Sequence, residues 1–141
     1  MEAHRKFEGK HSELTGKILG AFFQLHKDLG FGFAEKVYES ALEVLLTELG
    51  MIVEKQKDLF VYSHGKVVGT YKADMIVNGV VLLEIKSVEK LIEAHDAQLL
   101  NYLKATEIEV SLLLNFGRQV EFHRKIYDNP RKGSLSWTKI P

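Results

Sequence analysis

The sequence predicts an α/β (α+β) domain, and three observations lead there. Apolar residues recur at helical spacing from residue 12 to residue 49; the period switches to two from residue 51 to residue 86; and after one more helical stretch it returns to two between residues 110 and 124. The order helix, helix, strands, helix, strands builds layers around a single core. A chain of 141 residues is enough for one compact domain and short for two.

In the first element Ser12 is placed to cap a helix whose apolar stripe is Leu14, Ile18, Phe22, Leu25 and Leu29, with Gly30 as its stop. A glycine-bearing turn of Phe31, Gly32 and Phe33 leads to a second helix from about Ala34 to Leu49. Val37, Ala41, Leu42, Leu45 and Leu49 form its inward face, and Gly50 ends it. Five strands follow: Met51 to Gln56, Leu59 to Ser63, Lys66 to Tyr71, Ala73 to Val77 and Val80 to Lys86. His64-Gly65 and Asn78-Gly79 are the hairpin turns of this meander. Leu99, Leu100 and Leu103 set a third helix over Ala94 to Ala105, and Val110 to Phe116 and Val120 to Arg124 pair around Gly117. The domain is bounded at residues 1–126. Residues 127–141, with Pro130, Gly133 and several cations, read as a loosely ordered basic tail.

Composition excludes several classes. At 45% hydrophobic and 27% charged the chain is an ordinary globular protein, and 19 basic against 19 acidic residues leave no net field to draw in a polyanion. Any nucleic-acid contact must rest on a local patch. The absence of cysteine removes disulfides, thiol catalysis and cysteine-ligated zinc or iron–sulfur centres. No apolar run is long enough to cross a bilayer, and the first eleven residues lack the apolar segment of a secretion leader, so a soluble cytoplasmic protein is expected.

The chemistry concentrates between Asp74 and Lys86. Three ionisable residues stand within two strongly apolar strands, where charge is unfavourable unless a metal or partner compensates it. Strand periodicity puts Glu84 and Lys86 on one face and Val81, Leu83 and Ile85 on the other. Which face Asp74 joins depends on the turn. A two-residue Asn78-Gly79 loop sets Asp74 opposite Leu83 and away from Glu84, whereas a Val77-Asn78-Gly79 loop with Gly79 left-handed pairs Ile76 with Val80 and brings Asp74 onto the Glu84 face. Opposite faces would end any metal hypothesis. On one face, the two carboxylates and the Ile85 carbonyl offer the hard oxygen donors that Mg²⁺ requires, and Lys86 can hold an attacking water and offset charge growing on a phosphorane. The spacing alone leaves open an exposed Glu84–Lys86 ion pair with a solvated Asp74.

The block Gly32-Phe33-Ala34-Glu35-Lys36-Val37-Tyr38 resembles the signature of the GxxExxY proteins, a bacterial branch of the PD-(D/E)xK nuclease-like superfamily. Further blocks keep the same order: His26 through Gly30, Glu39, Ala41-Leu42, Tyr71 through Asp74, Glu84 through Lys86, Gln98 through Leu103 and Leu113 through Gly117. Together they span Leu14 to Arg124. The resemblance implies a restriction-endonuclease-like core, a central mixed β-sheet flanked by helices, with the site on an edge face. It implies Asp74, Glu84 and Lys86 as the central motif, Glu35 as a helix acid joining Asp74, Glu84 and the Ile85 carbonyl around the metal, and Gln98, with Tyr102 one turn on, beside them. Ala73 stands where the superfamily often has proline. The implied function is a Mg²⁺- or Mn²⁺-dependent nuclease acting on DNA or RNA, DNA favoured, with Lys86 as electrostatic stabiliser and Gln98 as orienter. The rivals are a non-catalytic nucleic-acid- or protein-binding module that keeps the fold, and a small-molecule hydrolase using the same metal chemistry. A homodimer acting on two strands is suggested by size alone.

Each residue also has a plainer reading. Glu35 falls in a first helical turn, where the helix dipole stabilises an acid without any metal. Gln98 and Tyr102 share a helix face, and either both reach the site or Tyr102 is half-buried core and Gln98 solvated. His95 either contacts phosphate or is simply polar near a helix start; His26 reads as a packed, hydrogen-bonded histidine; His11, His64 and His123 lack zinc spacing. Tyr71, Lys72, Arg124, Lys125, Arg131, Lys132, Trp137 and Lys139 gather cations and aromatics that either approach nucleic acid or are solvated.

Overall fold

The computed structural model describes residues 9–132. Helices α1 (Ser12–Leu29) and α2 (Glu35–Glu48) precede strands β1 (Val53–Ser63), β2 (Lys66–Val77) and β3 (Val81–Lys86). Helix α3 (Glu93–Lys104), strands β4 (Val110–Phe116) and β5 (Val120–Ile126) and a short 3-10 helix at Asn129–Lys132 complete the order. The strands form one five-stranded sheet in the order β1-β2-β3-β4-β5. Neighbours are antiparallel except β3 and β4, which run parallel. A parallel pair needs a crossover connection, and α3 supplies it. The fold is thus a mixed sheet between helices, consistent with a restriction-endonuclease-like core.

Both faces of the sheet are covered, which explains why its centre reads as continuous apolar sequence. On one face α1 and α2 pack Ile18, Phe22, Tyr38, Leu42 and Leu46 against Met75, Val77, Leu83, Ile85, Leu112, Leu114 and Phe116. On the other, Leu99 and Tyr102 of α3 pack against Ile76, Leu82 and Leu113. Tyr38 stacks on Phe116 with ring centroids 4.3 Å apart. Its hydroxyl donates to the Gly30 carbonyl at 2.6 Å and accepts from the Phe33 N–H at 3.3 Å, which fixes the turn between the first two helices.

Several expectations shift. The five strands expected between residues 51 and 86 are three, because Lys57, Asp58 and Lys72, which looked like breaks, stand on a long two-stranded arm where Lys72 donates to Asp58 across the strands at 2.7 Å. The buried side of α2 is turned by about one residue: Tyr38, Glu39, Leu42 and Leu46 are inside, while Val37 and Leu49 are exposed. Ser12 is the first helical residue of α1 instead of its cap, and His11 holds the cap position in a left-handed conformation. Gly30 does end α1, at φ 70°, with its N–H donating to the His26 carbonyl at 2.9 Å. Residues 127–132 are fastened and not loose. The Tyr127 N–H donates to the Glu109 carbonyl, and the buried Lys132 ammonium donates to the carbonyls of Thr106 and Ile108 at 2.9 and 2.8 Å. The rest of the anticipated tail, with Gly133, Trp137 and Lys139, lies outside the described residues. Among the described residues, no helix is long and apolar enough to cross a membrane.

The loop leaving β3 is held by β4. Buried Asn115 donates to the Val88 carbonyl at 2.9 Å and accepts from the Val88 N–H at 2.9 Å, and His26 Nε2 lies 2.7 Å from the Gly117 carbonyl oxygen. His26 is therefore the packed, hydrogen-bonded residue its position suggested. A Cβ on Gly117 would sit 2.6 Å from the Val88 carbonyl oxygen. Gly117→Ala should therefore lower stability by roughly 1–3 kcal/mol in denaturant unfolding; an unchanged midpoint would mean that the loop yields without penalty.

Candidate active site

The hairpin between β2 and β3 settles where Asp74 stands. Its loop is Asn78-Gly79-Val80, with Asn78 and Gly79 both left-handed at φ 51° and 69°, and the pairs are Met75 with Leu83, Ile76 with Leu82 and Val77 with Val81. The loop has three residues as one of the two registers required, displaced by one position from Val77-Asn78-Gly79. Displacing both ends of the count preserves parity. Continued by one step, the register sets Asp74 across from Glu84, and the two carboxylates share a face.

At that step the ladder stops and side chains replace it. The Asp74 N–H donates to Glu84 Oε1 at 3.0 Å, and the Ile85 N–H donates to Asp74 Oδ2 at 2.8 Å. Each carboxylate thus takes a peptide donor that the opposite strand would otherwise have used. On the far side, the β1–β2 register is the same before and after Asp74, yet the pair Gln56 with Asp74 is skipped. Gln56 adopts φ 51°, uncommon for a residue with a side chain. Strand alternation inverts at this point: Met75 and Val77 pack under α1 and α2, whereas Ala73 joins Ile76 under α3.

Freed from the ladder, the Gln56 amide donates to Glu39 Oε2 on α2 at 2.7 Å. Burial raises the Glu39 carboxyl above the ordinary range; the Gln56 hydrogen bond acts against that, and the charge of Asp74 adds to it. Lys55 Nζ lies 3.8 Å from Glu39 Oε1 and 3.2 Å from Glu43 Oε1. Glu39 was not singled out as a site residue from sequence. The signal was available, because Glu39, Leu42 and Leu46 lie at inward-facing helical spacing, with a charge where an apolar residue belongs.

Glu84 is only 5% exposed. Burial pushes its carboxyl up to about 8; the nearby Asp74 charge adds to the rise, while the Asp74 N–H and the Lys86 ammonium oppose it. Lys86 is half-buried on the same strand face. From α3, Tyr102 reaches the same centre. Its hydroxyl is pushed up to about 12 by burial and by the charges of Glu84 and Asp74, against a hydrogen bond with the exposed Gln98. The open pair of readings for these two residues resolves into a buried phenol hydrogen-bonded to a solvent-facing amide.

The remaining candidates lie apart. Glu35 is exposed in the first turn of α2, about 6 Å along the helix axis from Glu39. Among the described residues, no three His, Asp or Glu side chains come together as a metal-ligand group, so the anticipated trio of Asp74, Glu84 and Glu35 is not assembled. His95 accepts the Ile92 N–H at 3.0 Å and so closes the start of α3, and Lys72 is paired with Asp58. His95 Nε2 and two of the three Lys72 N–H donors are left over by these bonds, so neither residue is held from a phosphate by them, but both lie outside the acid pair.

The donors at the centre suit a hard divalent cation. Two carboxylates stand side by side, and the Ile85 carbonyl lies on the β2-facing edge of β3, because N–H and C=O of one strand residue share an edge and the Ile85 N–H is bound to Asp74. Mg²⁺ is commonly held by one or two carboxylates, with water and substrate phosphate filling its octahedron. Two acids are enough for that.

A family model described as the PD-(D/E)XK nuclease superfamily matches residues 12–126. No curated protein and no solved structure shows a significant match to the chain.

The raised Glu84 carboxyl sets a pH dependence whose sign is fixed. Between about pH 5 and about pH 8 the folded chain keeps a proton that the unfolded chain has lost, so in chelator stability falls as pH rises through that window, by on the order of 3–5 kcal/mol. Chemical denaturation at the two ends of the window should show the loss in the wild type and a much flatter profile in Glu84→Gln. Equal slopes in both proteins would remove Glu84 as the cause.

Proposed function

The chain belongs to the PD-(D/E)XK nuclease superfamily, and from that premise we propose that it is a metal-dependent nuclease hydrolysing phosphodiester bonds in nucleic acid. The observation that carries the reading is the reciprocal bonding of Asp74 and Glu84, with Lys86 on the same strand face. Buried acids are unfavourable in a sheet, and a bound cation is what turns that cost into a use.

Asp74, Glu84 and the Ile85 carbonyl would hold Mg²⁺ or Mn²⁺, and the ion would supply an acidified water together with charge to shield the phosphate. Glu84 must release its proton to serve, so metal affinity rises with pH through the range where that carboxyl titrates. Lys86 brings a fixed cation to the negative charge that grows on the phosphoryl oxygens. Gln98 restrains the Tyr102 hydroxyl, which keeps its proton at neutral pH and can donate a hydrogen bond toward the acids or the substrate. Glu39, tied to Gln56, sets a third carboxyl behind Asp74.

The finer assignments belong to the same proposal. The block from Gly32 to Tyr38 supports the GxxExxY branch within that superfamily. The proposal extends to DNA as substrate in preference to RNA, to a cytoplasmic site of action and to a homodimer, the last suggested by size alone. One observation favours the rival, a non-catalytic module that keeps the fold: among the described residues no third acid closes on the pair.

Calorimetric titration with Mg²⁺ and Mn²⁺, run beside a cleavage assay on mixed DNA and RNA, separates the two. Asp74→Ala should lose both metal binding and cleavage. Lys86→Ala should keep metal affinity within a few-fold and lose cleavage by about 10²–10³-fold. Cleavage intact in both variants would remove this mechanism, and no metal uptake by wild type even beside oligonucleotide would establish the non-catalytic module.

A further inference from the structure

A pocket of about 330 Å³ opens between the two-stranded arm and α3, lined by Val61, Tyr62 and Tyr71 from the arm and Asn101, Lys104 and Ala105 from the helix. The inversion at Gln56 and Asp74 creates it. Beyond that point the arm turns its Leu59 and Ala73 side toward α3, which would otherwise face the opposite way. The pocket touches the acid pair through one contact: the rings of Tyr71 and Tyr102 lie 5.1 Å apart, and Tyr102 senses the charges of Glu84 and Asp74.

Its lining combines three kinds of group. Tyr71, 37% exposed, brings an aromatic ring to the lining, and Val61, Tyr62 and Ala105 form apolar walls. The Asn101 side chain makes no hydrogen bond among the described residues, so its amide is available as both donor and acceptor; it lies one turn from Gln98, on the neighbouring helix position. Among the described residues Lys104 contacts the Tyr127 ring, with its ammonium 5.6 Å from the centroid, and the residue is exposed.

We propose that this pocket receives one unpaired nucleobase of the strand being cut, stacked on Tyr71 and read at its edge by Asn101, with Lys104 directed to the adjoining phosphate. The proposal rests on the nuclease reading and deepens it. Every base has a flat π face for an aromatic ring and an amide-like edge for an asparagine, and each is followed by a phosphate for a cation. A base within a duplex has both faces stacked and its edge paired, so a slot between a strand arm and a helix admits it only once it has left the stack. The substrate class is therefore single-stranded or locally unpaired nucleic acid.

The test uses a mixed-sequence single-stranded DNA oligonucleotide carrying one abasic position, moved stepwise along the strand, and the matching duplex. Binding is read in Mg²⁺ on a Lys86→Ala background, and cleavage with Lys86 intact. One abasic position should weaken binding about tenfold. Asn101→Ala and Tyr71→Leu should weaken binding of the intact strand by a similar factor, add nothing to the loss at that abasic position, and leave duplex binding unchanged. Asn101 is exposed, so its variant carries the test if Tyr71→Leu folds poorly. Insensitivity to every abasic position, or equal loss on strand and duplex, overturns the pocket, and cleavage by wild type in that case leaves the nuclease reading intact. Base-dependent binding without cleavage supports the pocket and removes the nuclease reading instead.

Discussion

Two peptide N–H groups, those of Asp74 and Ile85, organise the centre of this molecule. Each would satisfy a neighbouring strand in an unbroken sheet, and each is given to a carboxylate. Without those acids the groups would be left unpaired in a partly buried setting, at about 1–3 kcal/mol apiece. Without those donors, two carboxylates could not stand side by side in an apolar sheet. The site and the end of the ladder are therefore one structural fact, and the arm, the acid on α2 and the phenol on α3 take their positions from it.

The hydrogen bonds hold the acids but do not neutralise them. Glu84 keeps its proton to about pH 8 because burial and Asp74 outweigh the Asp74 N–H and Lys86. Such a group lowers the stability of the metal-free chain near neutral pH, and the two-sided core makes that tolerable. Val81, Leu82, Leu83 and Ile85 are buried around it on β3, and every residue from Val110 to Phe116 is buried on β4. A strongly packed centre that keeps one carboxyl protonated for want of a counter-charge suits a cation site, because a bound metal can take the place of that proton.

The sequence made the architecture legible where periodicity is strong. The stop at Gly30, the third helix and the last two strands follow from apolar spacing, while hairpin parity only narrowed the placement of Asp74 to two registers, between which the observed turn decides. The inward face of α2 was misplaced because Tyr38 and Glu39, left off the apolar stripe, are inside, while Val37 and Leu49 are outside; apolarity alone could not rank them. Glu35 drew attention as the acid of a recognisable block, yet helix rise sets it one turn beyond Glu39. The skipped pair at Gln56 left no trace, since nothing in Glu54-Lys55-Gln56-Lys57 announces a left-handed residue. Strand breaks were inferred at Lys57, Asp58 and Lys72 because charges interrupt the apolar pattern, and an arm that leaves the core has no need of that pattern.

β1 is one of the two edge strands of the sheet, and such a strand presents a row of unused donors and acceptors to any chain that can align with it. Here the row is interrupted twice, by the left-handed Gln56 and by the register shift between Val61 and Tyr62, with Lys55 and Lys57 flanking the first break. No uninterrupted stretch is left that would suit a long foreign strand. The backbone turn that frees Asp74 toward Glu84 thus also guards the β1 edge against fibril-like growth.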